Sequence, residues 1–271
     1  MTRLAILLAL VTPAAAQAAQ APVGSPAWAE DADVIEHLGA KLPLDLPFTD
    51  AQGHASQLGA LFDGVHPVVL VLAYYECPQL CSLVLDSGVR AIQALPGFSL
   101  GDQFRAATIS FDAGERIDQA ARKQAAILAQ LGGPPPARWP FFVGKEPSVR
   151  ALTDALGFKF LRDPRTGALA HAAVTFVLTP DGTISRYLYG TNYPARDLKL
   201  ALLEASQGKT GSLGDRVLMR CFQYDPASRR YGLFIARFMQ LGGLAIFLTV
   251  LGVFIALVRF DRRRMRAEQV P

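Results

Sequence analysis

The chain has 271 residues, of which 51% are hydrophobic and 18% charged, and its formal net charge is +4. This composition excludes a disordered chain, because it supplies ample apolar surface for a core, and its excess of hydrophobic residues indicates a segment in a membrane. The positive charge comes from the ends, since residues 259–271 hold five Arg and Arg3 adds one more. The body is neutral and has no basic stripe, which excludes a nucleic-acid binder.

The amino-terminal residues predict export. Residues 1–19 have the pattern of a signal peptide, in which Arg3 precedes a short apolar run and a cluster of small residues follows it. Residues 20–41 are predicted to be a linker, because their first part is rich in Ala and Pro. The folded domain is therefore expected to begin near residue 42.

Residues 42–206 show alternating signals for strands and helices. The predicted strands are 42–48, 67–75, 104–111, 141–143, 173–178 and 183–189, and the predicted helices are 80–95, 115–131, 147–156 and 195–206. This order, βαβα followed by a ββα unit, is typical of a thioredoxin-like α/β sandwich. We therefore predict a single domain of that class.

Two of the three cysteines, Cys77 and Cys81, lie four residues apart directly after the buried strand at 67–75. Positions i and i+4 share one face of a helix, and a helix N-terminus favours the thiolate, which binds metals and attacks disulfides. A domain of this size needs no disulfide to be stable, so the pair is interpreted as a chemical site. The third cysteine, Cys221, stands alone, and no role is assigned to it.

The spacing of the pair is CxxxC, whereas thioredoxin-type oxidoreductases use CxxC. Those enzymes also carry a Pro in the loop that faces the cysteines, and at the matching place this chain has His171. Two thiolates and an imidazole suit copper, Cu(I) in particular, and a zinc site with a bound water is also chemically possible. The other histidines, His37, His54 and His66, are expected to be solvated.

The carboxy-terminal part predicts a membrane anchor. After a juxtamembrane extension at 207–230, residues 231–258 are predicted to form a transmembrane helix, and 18 consecutive residues of it, 241–258, are uncharged. The Arg-rich tail at 259–271 is predicted to be cytoplasmic by the positive-inside rule. The expected location is the bacterial inner membrane, with the domain in the periplasm.

Five segments in succession resemble the Sco/SenC family. They are LPLDLPFTDAQG, PVVLVLAYYECPQLC, SFDAGERID, HAAVTFVLTPDG and YLYGTNYPARDLKLALLEAS, which together span residues 42–206. The resemblance implies a thioredoxin-like copper chaperone that binds copper through Cys77, Cys81 and His171. It also implies a partner, cytochrome c oxidase subunit II or another copper protein, whose copper A centre it helps to assemble. Three features depart from the usual pattern: Ser82 and Ala113 stand where many members have Pro, and the anchor is carboxy-terminal.

Two classes of function remain open. A metallochaperone would bind and deliver copper without turnover, whereas a thiol-disulfide oxidoreductase would use Cys77 and Cys81 as a redox pair on the cysteines of a partner. A peroxidase fits less well, because Tyr74 and Pro78 stand three residues before the two cysteines, where that chemistry would want a Thr. The same thiols serve the first two functions, so the sequence does not choose between them.

Overall fold

The computed structural model describes residues 32–76, 80–133, 135, 138–163, 167, 169–206, 222–225, 230–233, 242–255 and 259. For residues 80–82, 222–225 and 230–233 the description is of the backbone only. The predicted signal peptide at 1–19 and most of the predicted cytoplasmic tail therefore lie outside the described residues, as do Cys77 and Cys221.

A mixed seven-stranded sheet organises the domain. Its strands are β1 (Pro47–Asp50), β2 (Ala55–Gln57), β3 (Val68–Ala73), β4 (Arg105–Ser110), β5 (Phe141–Val143), β8 (Val174–Leu178) and β9 (Ile184–Tyr189). Across the sheet the order is β2-β1-β5-β4-β3-β8-β9, in which β3, β4 and β5 are mutually parallel and the other pairs are antiparallel. The central strand β3 is apolar at all six positions and buried at all six, as expected for a strand covered on both faces.

Four helices belong to this domain: α1 (Leu80–Gln93), α2 (Ile117–Gln130), α3 (Glu146–Ala155) and α4 (Ala195–Ala205). The connections β3-α1-β4 and β4-α2-β5 step across the sheet in the same direction, so right-handed crossovers place α1 and α2 on one face. In agreement, α1 contacts α2 and α4 as well as β3 and β8. The predicted thioredoxin-like α/β fold is confirmed, and each predicted helix is present within two residues at either end.

A small second sheet was not predicted. Strands β6 (Phe160–Arg162) and β7 (Leu169–His171) pair with each other in an antiparallel arrangement, outside the seven-stranded sheet. His171, which we expected in a loop, is the last residue of β7. β5 is equally short but apolar at all three positions, whereas β6 and β7 each end in a charged or imidazole residue, so three positions gave no recognisable strand pattern.

The amino-terminal segment 32–41 is part of the domain, which corrects the prediction that it is a linker. Val34 forms a β-bridge with Phe158, Lys41 forms one with Thr183, and Val34 is almost completely buried. Close to the first bridge, Gly157 adopts φ +62°, and a Cβ there would lie only 1.8 Å from the Ile35 carbonyl oxygen. The segment is short and has only three large apolar residues, Val34, Ile35 and Leu38, so the sequence pattern did not separate it from residues 20–31.

The described carboxy-terminal parts are a hairpin and a helix. Strands β10 (Phe222–Asp225) and β11 (Arg230–Leu233) pair in an antiparallel arrangement, so residues 231–233, the start of the predicted membrane helix, are extended instead. A helix covers 242–255, and its large apolar side chains are 40–67% exposed. Within the ranges described above, no helix is both long enough and apolar enough to cross a membrane.

Candidate metal centre

The end of β3 and the start of β8 meet at one edge of the sheet, and the candidate site lies there. These strands are antiparallel, with Val71 opposite Thr175. The ring of Phe111, which follows β4, contacts both Tyr74, in the turn that precedes Cys77, and His171, at the end of β7. These two parts of the chain therefore lie near one another, and Cys81 follows in the first turn of α1, as the sequence predicted.

His171 is held in a fixed orientation. It is only 9% exposed, and its ring packs against the rings of Phe111 and Phe158, with centroid distances of 4.9 and 5.8 Å. Its Nδ1 lies 2.9 Å from the carbonyl oxygen of Ala172. A carbonyl oxygen only accepts hydrogen bonds, so Nδ1 carries the proton and Nε2 carries the lone pair. Nε2 is therefore the nitrogen of this side chain that can bind a metal.

Phe111 connects His171 to the turn before Cys77. It follows β4, and besides His171 its ring contacts Tyr74 at 6.1 Å, Phe158 at 5.2 Å and Phe160 at 5.0 Å. We call these four aromatic residues, Tyr74, Phe111, Phe158 and Phe160, the aromatic cluster. Phe111 lies within the motif SFDAGERID, but no sequence pattern indicates the cluster, because its members come from three separate stretches of the chain.

Glu115 fixes the backbone directly before Cys77. Its Oε1 accepts hydrogen bonds from the backbone N–H of Tyr75, at 2.5 Å, and of Glu76, at 3.0 Å. Its Oε2 accepts one from the hydroxyl of Ser110, also at 2.5 Å. Burial raises the pKa of Glu115 and the nearby charge of Asp112 raises it further, while the three hydrogen bonds oppose both effects.

The side chain of Tyr75 is held in place as well as its backbone. Its side chain is buried under the sheet edge, and the hydroxyl donates a hydrogen bond to the Phe142 carbonyl oxygen at 2.6 Å. Burial, with the negative charge of Glu115 adding to it, raises the pKa of Tyr75 well above its ordinary value. The phenol therefore stays protonated and keeps donating throughout the physiological pH range. The residue two positions before Cys77 is thus held by its backbone and by its side chain.

A cleft of about 460 Å³ opens beside the aromatic cluster. Phe111, Phe158 and Phe160 line its inner wall, and Asp112 and Arg162 form an ion pair of 3.0 Å at its rim. Two of these rings, Phe111 and Phe158, also pack on the imidazole of His171. The aromatic cluster therefore lies against both the cleft and the imidazole.

The remaining histidines lie elsewhere. His54 is exposed beside Asp50, and Nδ1 of His66 lies 2.7 Å from Oδ2 of Asp63. His37 is half-buried and its Nδ1 is 3.0 Å from the Ala155 carbonyl oxygen, so the expectation that it is solvated is wrong. It belongs to the amino-terminal segment that packs on the domain.

No cluster of three or more His, Cys, Asp and Glu side chains occurs among the residues whose placement is described. Because Cys77 and the side chain of Cys81 are outside that set, the ligand set Cys77, Cys81 and His171 stays a prediction.

The fold and this edge define a thioredoxin-like α/β protein. No protein-family model matches the sequence, and no curated protein matches it either. Among solved structures, one described as a candidate electron transfer protein from Aquifex aeolicus is 27% identical, with a TM-score of 0.55 over 62% of this chain and 94% of that one.

Several Sco proteins have structures similar to this chain. Arabidopsis thaliana Sco, solved with copper bound, is 16% identical, with a TM-score of 0.47 over 59% of this chain and 91% of that one. A Sco-family cytochrome c oxidase assembly protein, BsSco, described with a disulfide switch, is 17% identical, with a TM-score of 0.49 over 64% and 98%.

Proposed function

We propose that this chain is a copper-binding protein of the Sco/SenC type that assists assembly of the copper A centre of cytochrome c oxidase. The observation that carries the proposal is the placement of His171. Its metal-binding nitrogen is set by a hydrogen bond to a carbonyl, and its ring packs on Phe111, which also contacts Tyr74 in the turn before Cys77. Ligating histidines are commonly oriented by such a bond from their other ring nitrogen.

Copper is the cargo in this proposal. The thiolates of Cys77 and Cys81, together with Nε2 of His171, form a soft donor set that suits Cu(I) better than a hard cation. The start of α1 favours the thiolate form of a nearby cysteine, because the helix N-terminus carries a partial positive charge. The delivery partner is cytochrome c oxidase subunit II or another exported copper protein.

We further propose that the domain is periplasmic and anchored in the bacterial inner membrane by its carboxy-terminal segment. The helix at 242–255 exposes consecutive large apolar residues such as Ile246, Phe247 and Leu248, which point in different directions around the helix. A helix that is apolar all round suits lipid, and the five Arg of residues 259–271 suit the cytoplasmic side.

Reporter fusions test this topology. A reporter that is active only outside the cytoplasm should be silent when fused after Pro271 and active when fused after Ser206. The reverse pattern would rule out the proposed orientation.

A second experiment separates copper delivery from thiol reduction. Thiol-disulfide exchange needs a thiolate and an accessible disulfide but no imidazole ligand. If delivery is the function, His171→Ala should impair oxidase maturation in cells nearly as severely as Cys77→Ser, and added copper should partly restore the His171 variant by mass action. If reduction is the function, His171→Ala should be mild and copper without effect. Equal oxidase activity of wild type and His171→Ala at limiting copper would overturn the delivery proposal.

A further inference from the structure

Glu115 makes an unusual connection between two loops. It follows β4, yet both donors to its Oε1 are backbone N–H groups of the loop that follows β3, 39 and 40 residues earlier in sequence. These donors belong to Tyr75 and Glu76, the last two residues before Cys77. A single side chain thus fixes the backbone directly before Cys77.

The geometry requires an acceptor at a definite distance. Two N–H groups converge on one oxygen of Glu115, and the Ser110 hydroxyl occupies the other. The N–H of Tyr75 is partly buried, and a buried N–H that loses its acceptor is costly, so the loop would rearrange to find new partners if the acceptor were removed. Such a rearrangement would move Cys77, because only the peptide bond between residues 76 and 77 separates it from the clamped backbone.

We propose that Glu115 is a positioning residue for Cys77, which acts through hydrogen-bond acceptance and not through its charge. The inference rests on the proposed copper site, since the consequence of correct positioning is tight copper binding. It also makes a prediction about the loop backbone that does not involve copper. Glu115 does not touch the metal in this proposal, and Ser110 supports it from behind.

A glutamine can perform the same task. Its amide oxygen can accept from Tyr75 and Glu76 as Oε1 of Glu115 does, and its NH₂ group can donate to the Ser110 oxygen. The Ser110 hydroxyl then keeps a partner, because it already lies 3.2 Å from the Asp112 carbonyl oxygen. An aspartate, by contrast, keeps the charge but is one methylene too short to reach the two N–H groups. Glu115→Gln and Glu115→Asp therefore separate acceptor geometry from charge.

The experiment uses the purified full chain under reducing conditions. Cu(I) affinity is measured by competition with a chromophoric Cu(I) chelator for wild type and for Glu115→Gln, Glu115→Asp and Glu115→Ala. Loss of a residue that orients a ligand typically weakens metal affinity by roughly 10- to 100-fold. We expect that loss for Glu115→Asp and Glu115→Ala, and affinity within about threefold of wild type for Glu115→Gln.

The matched control is Asp118→Ala. Asp118 is an exposed acidic residue one turn further along the chain, and it bonds to the side chains of Arg116 and Arg122. Its loss should leave Cu(I) affinity unchanged. Should Glu115→Ala fail to fold, the comparison of Glu115→Gln with Glu115→Asp decides the question alone. Aspartate at wild-type affinity with glutamine impaired would show that charge matters and would overturn the proposal.

Hydrogen exchange of the peptide that contains residues 74–77 gives the copper-independent readout. Exchange should accelerate in Glu115→Asp and Glu115→Ala but not in Glu115→Gln. Unchanged exchange in Glu115→Ala would overturn the positioning role even if copper binding falls. Absence of Cu(I) binding by the wild type would contradict the proposed function instead, and the exchange pattern would still decide whether Glu115 holds the loop.

Discussion

The two sides of the candidate metal centre are held by different kinds of interaction. His171 is oriented mainly by packing against Phe111 and Phe158, with one hydrogen bond to a carbonyl. The turn before Cys77 is oriented mainly by hydrogen bonds, from its backbone to Glu115 and from the Tyr75 hydroxyl to the Phe142 carbonyl.

This difference has an energetic meaning. Packing of buried rings contributes to the free energy of unfolding as well as to orientation, because the same contacts form part of the core. A few hydrogen bonds at a loop contribute less to stability but define direction more sharply. Substitutions on the His171 side should therefore change stability and copper affinity together, whereas those on the cysteine side should change affinity more than stability.

The largest effect is expected from the thiols themselves. Cys77→Ser and Cys81→Ser should each abolish tight Cu(I) binding, because a hydroxyl is a poor ligand for a soft metal. Competition with a chromophoric chelator measures the loss, and thermal unfolding should show little change. Cys221→Ser is the control and should bind normally. If Cys221→Ser lost binding while Cys81→Ser kept it, the site would have to be placed elsewhere.

His171→Ala should come next. Removal of one of three ligands should weaken Cu(I) affinity by at least about tenfold while both thiols still react with a thiol reagent. The lost ring contacts with Phe111 and Phe158 should also lower the free energy of unfolding by about 1–3 kcal/mol. His54→Ala, at an exposed position, serves as the control and should change neither quantity. Normal Cu(I) affinity in His171→Ala would show that His171 is not a ligand of the metal centre.

Phe111→Leu should have a smaller effect on both quantities. It removes the contact of the Phe111 ring with His171 while keeping most of the buried volume, so about 1 kcal/mol of stability should be lost, and Cu(I) affinity should fall a few-fold. The control is Phe104→Leu, a fully buried residue at the opposite end of β4. It should cost similar stability without changing affinity. Equal affinities in the two variants would show that packing does not orient His171.

The smallest effect is expected at Asp63, a polar residue in the loop before β3, at the end of that strand away from the candidate site. Burial alone would raise the pKa of Asp63, but hydrogen bonds from the side chain and backbone of His66 and from the backbone of Val65, together with the charge of Arg105, hold it below its ordinary value of 3.8. A carboxyl group whose pKa is lower in the folded than in the unfolded state stabilises the fold at pH values above its unfolded pKa. That contribution decreases below the unfolded pKa and is lost as the pH falls through the folded pKa.

Asp63→Asn should therefore lower stability by about 1 kcal/mol at pH 7 and by less at pH 2 to 3, with Cu(I) affinity unchanged at neutral pH. Urea unfolding of both proteins across this pH range measures the difference. A constant difference at all pH values would mean that the carboxylate charge is not what stabilises this loop. A change in affinity would mean that the two edges of the sheet are coupled.

The elements that follow from local pattern were predicted well. The unbroken apolar run at 67–75 identified the central strand, which ends at Ala73, and the position of Cys81 in the first turn of α1 followed from where that run ends. The role of Glu115 could not be predicted, because it depends on a contact with Tyr75 and Glu76 that only the assembled sheet creates. His171 was found by its place in the motif, but its burial depends on aromatic rings contributed by distant stretches of the chain.

The amino-terminal segment at 32–42 has a consequence for the order of folding. Its backbone hydrogen bonds join Ile35 to Gly157 and Gly39 to Ile184, residues that are separated by more than 120 positions in sequence. Contacts between such distant residues are slow to form, because the loop between them must first be closed. A chain made from its amino terminus presents this segment first, yet its first partners, at Phe158 and Gly157, are made more than 120 residues later, and those at Ile184 later still. The first part of the domain to be synthesised therefore has to wait for most of the domain before it can complete its backbone hydrogen bonds.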